Sequence, residues 1–208
     1  MRKGPYIRKG EQKAYDYLYE DLLVMDKKSE QILNERQISS KEVYKGHLLD
    51  VYEDEVVLPN GVKSRREYIR HCLAAAVLAF DEEGNILLEE QFRYPFHAVT
   101  NELPAGKADG KEDPLDVAKR ELLEETGYSA DEWEYLGEFY PSVAYTDEVI
   151  YLYEAHSLHK KEQHLDDDES LIVKKVPFAR FIEMVNKGEI KDGKTLGALA
   201  YYLAKKSK

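Results

Sequence analysis

Residues 106–128 read GKADGKEDPLDVAKRELLEETGY, a polar loop running into a helix with well-marked ends. Asp113 suits the N-cap, Pro114 suits the first helical position, and Gly127 suits the position just past the end, so the spacing predicts a helix over 114–126. At about 100° per residue, Leu115, Ala118 and Leu122 form an apolar stripe facing a core. Glu121, Glu124 and Glu125 share a neighbouring face, because spacings of three and four bring side chains together. These carboxylates repel one another, and two lie near the helix C-terminus, where the macrodipole disfavours negative charge. A solvated acidic face is one explanation. A divalent cation is the other, and the placement of the triplet beside the buried stripe favours it. Ligands that are all oxygen suit Mg²⁺, with Mn²⁺ as a substitute.

Outward from this helix the pattern is mixed. Tyr15, Leu18, Tyr19 and Leu22 predict a helix over roughly 11–26 whose apolar face serves packing or dimerisation. Val43 to Leu58 is β-rich and ends at the turn Pro59-Asn60-Gly61, with Val62 to His71 as the returning partner. Leu73 to Phe80 and Ile86 to Phe92 flank Asp81-Glu82-Glu83-Gly84 and read as a second hairpin. Val99 to Leu103 is a short strand entering a Pro-Ala-Gly turn. Strands near 133–140, 148–155 and 170–176 and helices near 177–187 and 194–206 follow. Strands and helices that do not strictly alternate imply an α/β/α sandwich with a mixed sheet. The expected division is an N-terminal extension with helix and strands over 1–40 and a catalytic domain over 41–208.

Bulk properties narrow the partners. A net charge of −11 over 208 residues argues against a nucleic-acid partner, which needs clustered Lys and Arg. An acidic protein that handles a phosphate compound needs cations as intermediaries. Cys72 is the only cysteine, which fits a reducing compartment. The chain start has no apolar signal segment, and the run from Cys72 to Phe80 is far too short for a bilayer, so the expectation is a cytoplasmic protein with no membrane partner.

Gly106, Glu112 and Arg120-Glu121-Leu122-Leu123-Glu124-Glu125-Thr126-Gly127 resemble the Nudix box at every fixed position, with Tyr128 where an aliphatic residue is usual. Seven fixed residue types at these spacings arise by chance on the order of once in a hundred million starts. The resemblance implies metal ligation by Glu121, Glu124, Glu125 and the Ala105 carbonyl. It also implies an internal Glu112–Arg120 ion pair and a Gly106 that supplies a backbone conformation a side chain would hinder. An acidic loop in such enzymes supplies a base, for which Asp167 and Glu169 are the matching positions, with Glu169 the better placed.

Outside the box, Glu102-Leu103-Pro104-Ala105-Gly106, Glu90-Gln91-Phe92-Arg93, Leu58-Pro59-Asn60-Gly61 and Arg66-Glu67 resemble the ADP-ribose pyrophosphatase subgroup over roughly residues 40–205. That likeness implies a small nucleotide substrate, with Arg66, Arg93 and Glu102 in substrate binding. It also implies Mg²⁺-dependent hydrolysis of ADP-ribose to AMP and ribose 5-phosphate, in a homodimer. Val143-Ala144 stands where the subgroup carries Pro-Gly, which leaves another nucleotide sugar or a dinucleotide open as substrate. A catalytically silent, nucleotide-sensing Nudix protein is the alternative of a different class.

Overall fold

The computed structural model describes residues 27–166 and 169–207. The helix expected over 11–26 lies outside them, as does Asp167. The chain divides into two units. One runs through His71 and takes in Ala144–Thr146; the other comprises Cys72–Val143 and Asp147–Lys208.

The smaller unit begins with α1 (Lys27–Leu33), followed by β1 (Arg36–Lys45), β2 (Asp50–Val57) and β3 (Lys63–Arg70). The three strands form an antiparallel sheet in chain order. The β-rich stretch from Val43 to Leu58 is not one strand. Gly46 donates its N–H to the Leu49 carbonyl, turning the chain between β1 and β2. At the next turn Asn60 accepts the Val62 N–H and Gly61 takes φ 84°, a conformation open to glycine. Tyr52, Asp54 and Val56 alternate onto the buried face of β2. Arg70 caps that face, its guanidinium 4.5 Å from the centre of the Tyr52 ring. The chain returns to this unit at Thr146, which bridges Ile69.

In the larger unit β4 (Ala74–Ala79) is buried at every residue and divides the core. Its even-numbered side chains, from Ala74 to Phe80, pack with Phe181, Met184, Ala198 and Leu199. Its odd-numbered ones, Ala75, Val77 and Ala79, pack with Val117, Ala118 and Leu122. A strand covered by helices on both faces must read as a continuous apolar run. The helices on either side are α2 (Pro114–Thr126) and the pair α3 (Phe178–Asn186) and α4 (Gly193–Lys206). The chain therefore forms the mixed-sheet α/β/α sandwich anticipated from its pattern of elements.

Two sheets fill the middle layer. β7 (Ala105–Lys107), β4, β9 (Ile150–Lys160) and β8 (Tyr128–Phe139) lie in that order, with β4 and β9 parallel and the other pairs antiparallel. β10 (Leu171–Pro177), β5 (Asn85–Arg93) and β6 (Ala98–Glu102) form the second, wholly antiparallel sheet. This arrangement corrects the expected second hairpin. Asp81 closes a tight turn by accepting the N–H groups of Glu83 and Asn85. Beyond a single Phe80–Ile86 bridge, however, β4 and β5 part into different sheets. The expected Pro-Ala-Gly turn is likewise a strand from Ala105 onward, because β4 offers Ala105 and Gly106 an antiparallel partner.

Phe181 is fully buried where α3 meets the sheet and packs against Phe178 at 6.1 Å. Phe181→Ala is expected to destabilise the protein by about 3–5 kcal/mol, read as a lowered denaturant midpoint with unchanged slope.

Candidate active site

The site is built on the inner face of α2. Asp113 accepts the Leu115 N–H at the start of this helix, and Gly127 ends it at φ 67° with its N–H donating to the Leu123 carbonyl. Within those limits Glu121 and Glu125, one turn apart, both point into the protein, while Glu124 is only half-buried. The three carboxylates adjacent in sequence terms thus occupy two environments.

Arg120 ties the helix to the preceding loop. Its Nε donates to Glu112 Oε1 at 3.0 Å and its Nη2 to Glu112 Oε2 at 2.8 Å, a two-pronged pair. Nη2 also donates to the Lys107 carbonyl, and Glu112 Oε2 accepts the Asp109 N–H, both at 2.8 Å. The remaining nitrogen, Nη1, donates to Glu121 Oε1 at 2.8 Å and to Glu124 Oε2 at 3.0 Å. The Ala105 N–H donates to Glu125 Oε2 at 2.8 Å. The Glu121 carboxylate lies across the backbone of Gly106, where a Cβ would stand 2.0 Å from its Cδ. Any side chain at 106 would displace it.

Burial pushes the Glu121 carboxyl up to about 7, with Arg120 opposing the rise. It raises Glu125 further, aided by the charges of Glu89 and Glu121, and it raises Glu89 as well. The charge of Glu169 adds to the upward push on all three, so the acidic loop bears on the helix face. Its approach has a local cause. After β9, Lys161 and His164 donate backbone N–H groups to the Gly127 and Glu124 carbonyls, and the Gln163 side chain donates to that of Glu125. The segment satisfies the open end of α2 and carries the loop to it.

Arg93 and Glu102 meet each other. Nε and Nη2 of Arg93 both donate at 2.7 Å to Glu102, which also accepts from Thr100 and Lys194. Burial works to raise the Glu102 carboxyl, yet Arg93, Lys194 and Thr100 hold it down to about 2. Arg66 lies on β3 of the smaller unit, bonded at 2.5 Å to Glu35. Val143 is exposed in the larger unit and Ala144 belongs to the smaller one.

Among the described residues, no three Asp, Glu, His or Cys side chains converge as a ready-made metal cage. The donor set still suits a hard divalent cation: buried carboxylates, a backbone cradle at Gly106 that a Cβ would fill, and a Glu89 Oε1 with no hydrogen-bond partner. Glu89 and Lys194 were missed from the sequence. An acid directly after the apolar run Ile86-Leu87-Leu88 was a signal for the first. A cation in the first turn of α4, where the macrodipole opposes it, was a signal for the second.

A model described as the NUDIX domain matches residues 70–196, and one for a nucleoside diphosphate sugar hydrolase N-terminal domain matches residues 35–69. The chain belongs to the Nudix family. It is 37% identical to an ADP-ribose pyrophosphatase of Bacillus subtilis (strain 168), over 84% of this chain and 96% of that protein. It is 38% identical to a methanol dehydrogenase activator of Bacillus methanolicus, over 82% and 93%. A GDP-mannose pyrophosphatase of Yersinia enterocolitica is 34% identical over 79% and 91%. Among solved structures, an ADP compounds hydrolase shares the fold with a TM-score of 0.74 at 19% identity, covering 82% of this chain and 92% of that one.

The shifted carboxyls set the pH dependence of the cation-free protein. Glu121 titrates near 4.5 when unfolded and near 7 when folded, so its contribution is fully present below about 4.5 and is lost as pH rises through 7. Glu102 moves the other way, from 4.5 to about 2, and its contribution is lost as pH falls through that range. The denaturant midpoint of EDTA-treated protein is expected to peak near pH 4.5 and to decline toward neutrality. A midpoint that rises between about pH 5 and about pH 7 would contradict the assignment.

Proposed function

We propose that this Nudix pyrophosphohydrolase hydrolyses ADP-ribose to AMP and ribose 5-phosphate with Mg²⁺, or Mn²⁺ in its place. The observation that carries the reading is the pair of buried carboxylates, Glu121 and Glu125, set against the backbone of Ala105 and Gly106. Glu121, Glu125, the rim carboxylate Glu124 and the Ala105 carbonyl would hold the cation. When bound, it neutralises the two phosphates and makes an attached water more acidic.

The chain's own residues do the rest. Glu169 takes a proton from the attacking water, with Asp167 as the alternative base, while the water oxygen forms its bond to phosphorus. The bond from that phosphorus to the bridging oxygen breaks in line, and the second phosphate leaves with the bridging oxygen. Gly106 leaves room for Glu121, and the Glu112–Arg120 pair keeps helix and loop in register. Arg93, held by Glu102, and Arg66 bind the substrate. The relatives of Bacillus subtilis and Mycobacterium tuberculosis, both ADP-ribose pyrophosphatases, support this substrate.

A nucleotide sugar is the second reading. It is favoured by the GDP-mannose pyrophosphatases among the relatives and by the family match over residues 35–69. A cytoplasmic homodimer is part of the proposal, with residues 1–40 as its packing or dimerising extension and 41–208 as the hydrolase domain. Phe92 and its cross-strand neighbour Val99, both exposed on the larger unit, support a covered surface there.

The test is monophosphate release from EDTA-treated protein after Mg²⁺ is restored, over a panel of ADP-ribose, GDP-mannose and dinucleotides. ADP-ribose is expected to give the highest kcat/KM, and Glu125→Gln to lower kcat by more than about a hundredfold. No turnover of any diphosphate, or near-full activity in Glu125→Gln, would sink the reading.

A further inference from the structure

Glu89 is not among the ligands named in the proposed function. It stands in β5, 3% exposed, opposite Glu102 on one neighbouring strand and Val173 on the other. A buried carboxylate is costly unless it is paired and hydrogen-bonded. Its Oε1 has no hydrogen-bond partner. Among the described residues neither Glu89 nor Glu125 forms an ion pair, since the nearby cations are committed elsewhere. Arg93 and Lys194 bond to Glu102, while Arg120 bonds to Glu112, Glu121 and Glu124. Among the charges that act on Glu125, that of Glu89 is the largest, and Glu169 acts on both. Glu125, against the Ala105 N–H, and Glu89, acted on by the charges of Lys194 and Arg93 but bonded to neither, are two buried carboxylates without an ion pair among the described residues, and such a pair calls for a cation from solution.

We propose that Glu89 is a further carboxylate of the divalent-cation centre, forming its inner wall with Glu125 and bonding the cation directly or through one bound water. This rests on the cation reading given above and extends its ligand set from α2 to the floor of the site on β5. The two roles open to Glu89 differ in sign. If it is a ligand, replacing it weakens cation binding while relieving repulsion in the cation-free protein. If it serves only the fold, replacing it weakens both.

The experiment measures Mn²⁺ affinity and stoichiometry by electron paramagnetic resonance, and the denaturant midpoint of the EDTA-treated protein. It compares the full chain with Glu89→Gln, Glu89→Asp and Glu125→Gln. Glu89→Gln is expected to bind Mn²⁺ at least about tenfold more weakly, with a cation-free midpoint no lower than that of the unsubstituted protein. Glu89→Asp, which keeps the charge on a shorter arm, is expected to recover part of the affinity. Unchanged Mn²⁺ binding in Glu89→Gln overturns the inference, as does a lower midpoint or failure to fold. If Glu125→Gln loses Mn²⁺ while Glu89→Gln keeps it, this inference alone fails. If the unsubstituted protein binds no Mn²⁺, the cation reading fails with it.

Discussion

Glu121 and Glu125 stand one helical turn apart, both turned into the protein, and the repulsion between them constrains most of what surrounds α2. Like charges at this spacing destabilise even an exposed helix, and burial removes the water that would screen them. The chain answers with donors. Arg120 reaches Glu121 with one nitrogen while its other two hold Glu112 and the Lys107 carbonyl. Ala105 gives Glu125 a backbone N–H, and Gly106 withholds the Cβ that would push Glu121 away. None of these contacts neutralises the second carboxylate. The short strand β7, the loop after it and the helix are therefore held in register by these donors, while the charge of Glu125 is left without an ion pair among the described residues.

A second set of charges is balanced and kept separate from the first. Glu102 accepts from Arg93, Lys194 and Thr100, and so remains ionised although buried. Lys194 sits in the first turn of α4, against the macrodipole, a placement that makes sense because a deep carboxylate waits for it. Asp192 and Thr195 complete the anchor. The Thr195 hydroxyl donates to Asp192 and accepts the Leu103 N–H, which fixes the connection between β6 and β7. One group of carboxylates is thus satisfied by the chain while its neighbours are not. That contrast makes Glu125, which has no ion pair among the described residues, stand out as a place for an external cation beside Glu121.

The elements that were legible in the sequence are those whose causes are local. The ends of α2 follow from Asp113, Pro114 and Gly127, each acting within a few residues, and the structure places them as the sequence implies. Partner choice between strands is not local. The turn at Asp81–Gly84 was readable, yet β4 finds β7 and β9 while β5 finds β6 and β10, and nothing in the turn dictates that separation. Spacing also brought Glu121, Glu124 and Glu125 together without telling buried from exposed, because that depends on where β7 crosses the helix. Glu89 was harder still. In a strand with one acid after another, Glu89 and Glu90 differ only in the face each presents, and register with β6 and β10 decides which is buried.

The loop at Val143-Ala144 shows where the sequence difference takes effect. Here the chain leaves the larger unit and supplies Ala144–Thr146 to the smaller one, where the Tyr145 carbonyl accepts the Ile69 N–H. A Pro-Gly pair would fix φ at its first residue, remove one N–H and free the backbone at the second. Val and Ala do the reverse, restoring the N–H and limiting the backbone to ordinary extended or helical conformations. The substitution therefore changes the conformations open to the loop more than its charge. The carboxylates that would govern bond cleavage lie on α2 and owe nothing to residues 143–144. The carboxylates proposed for the chemistry and the loop proposed to bear on the substrate are thus separate parts of the chain, so a change in one leaves the other in place.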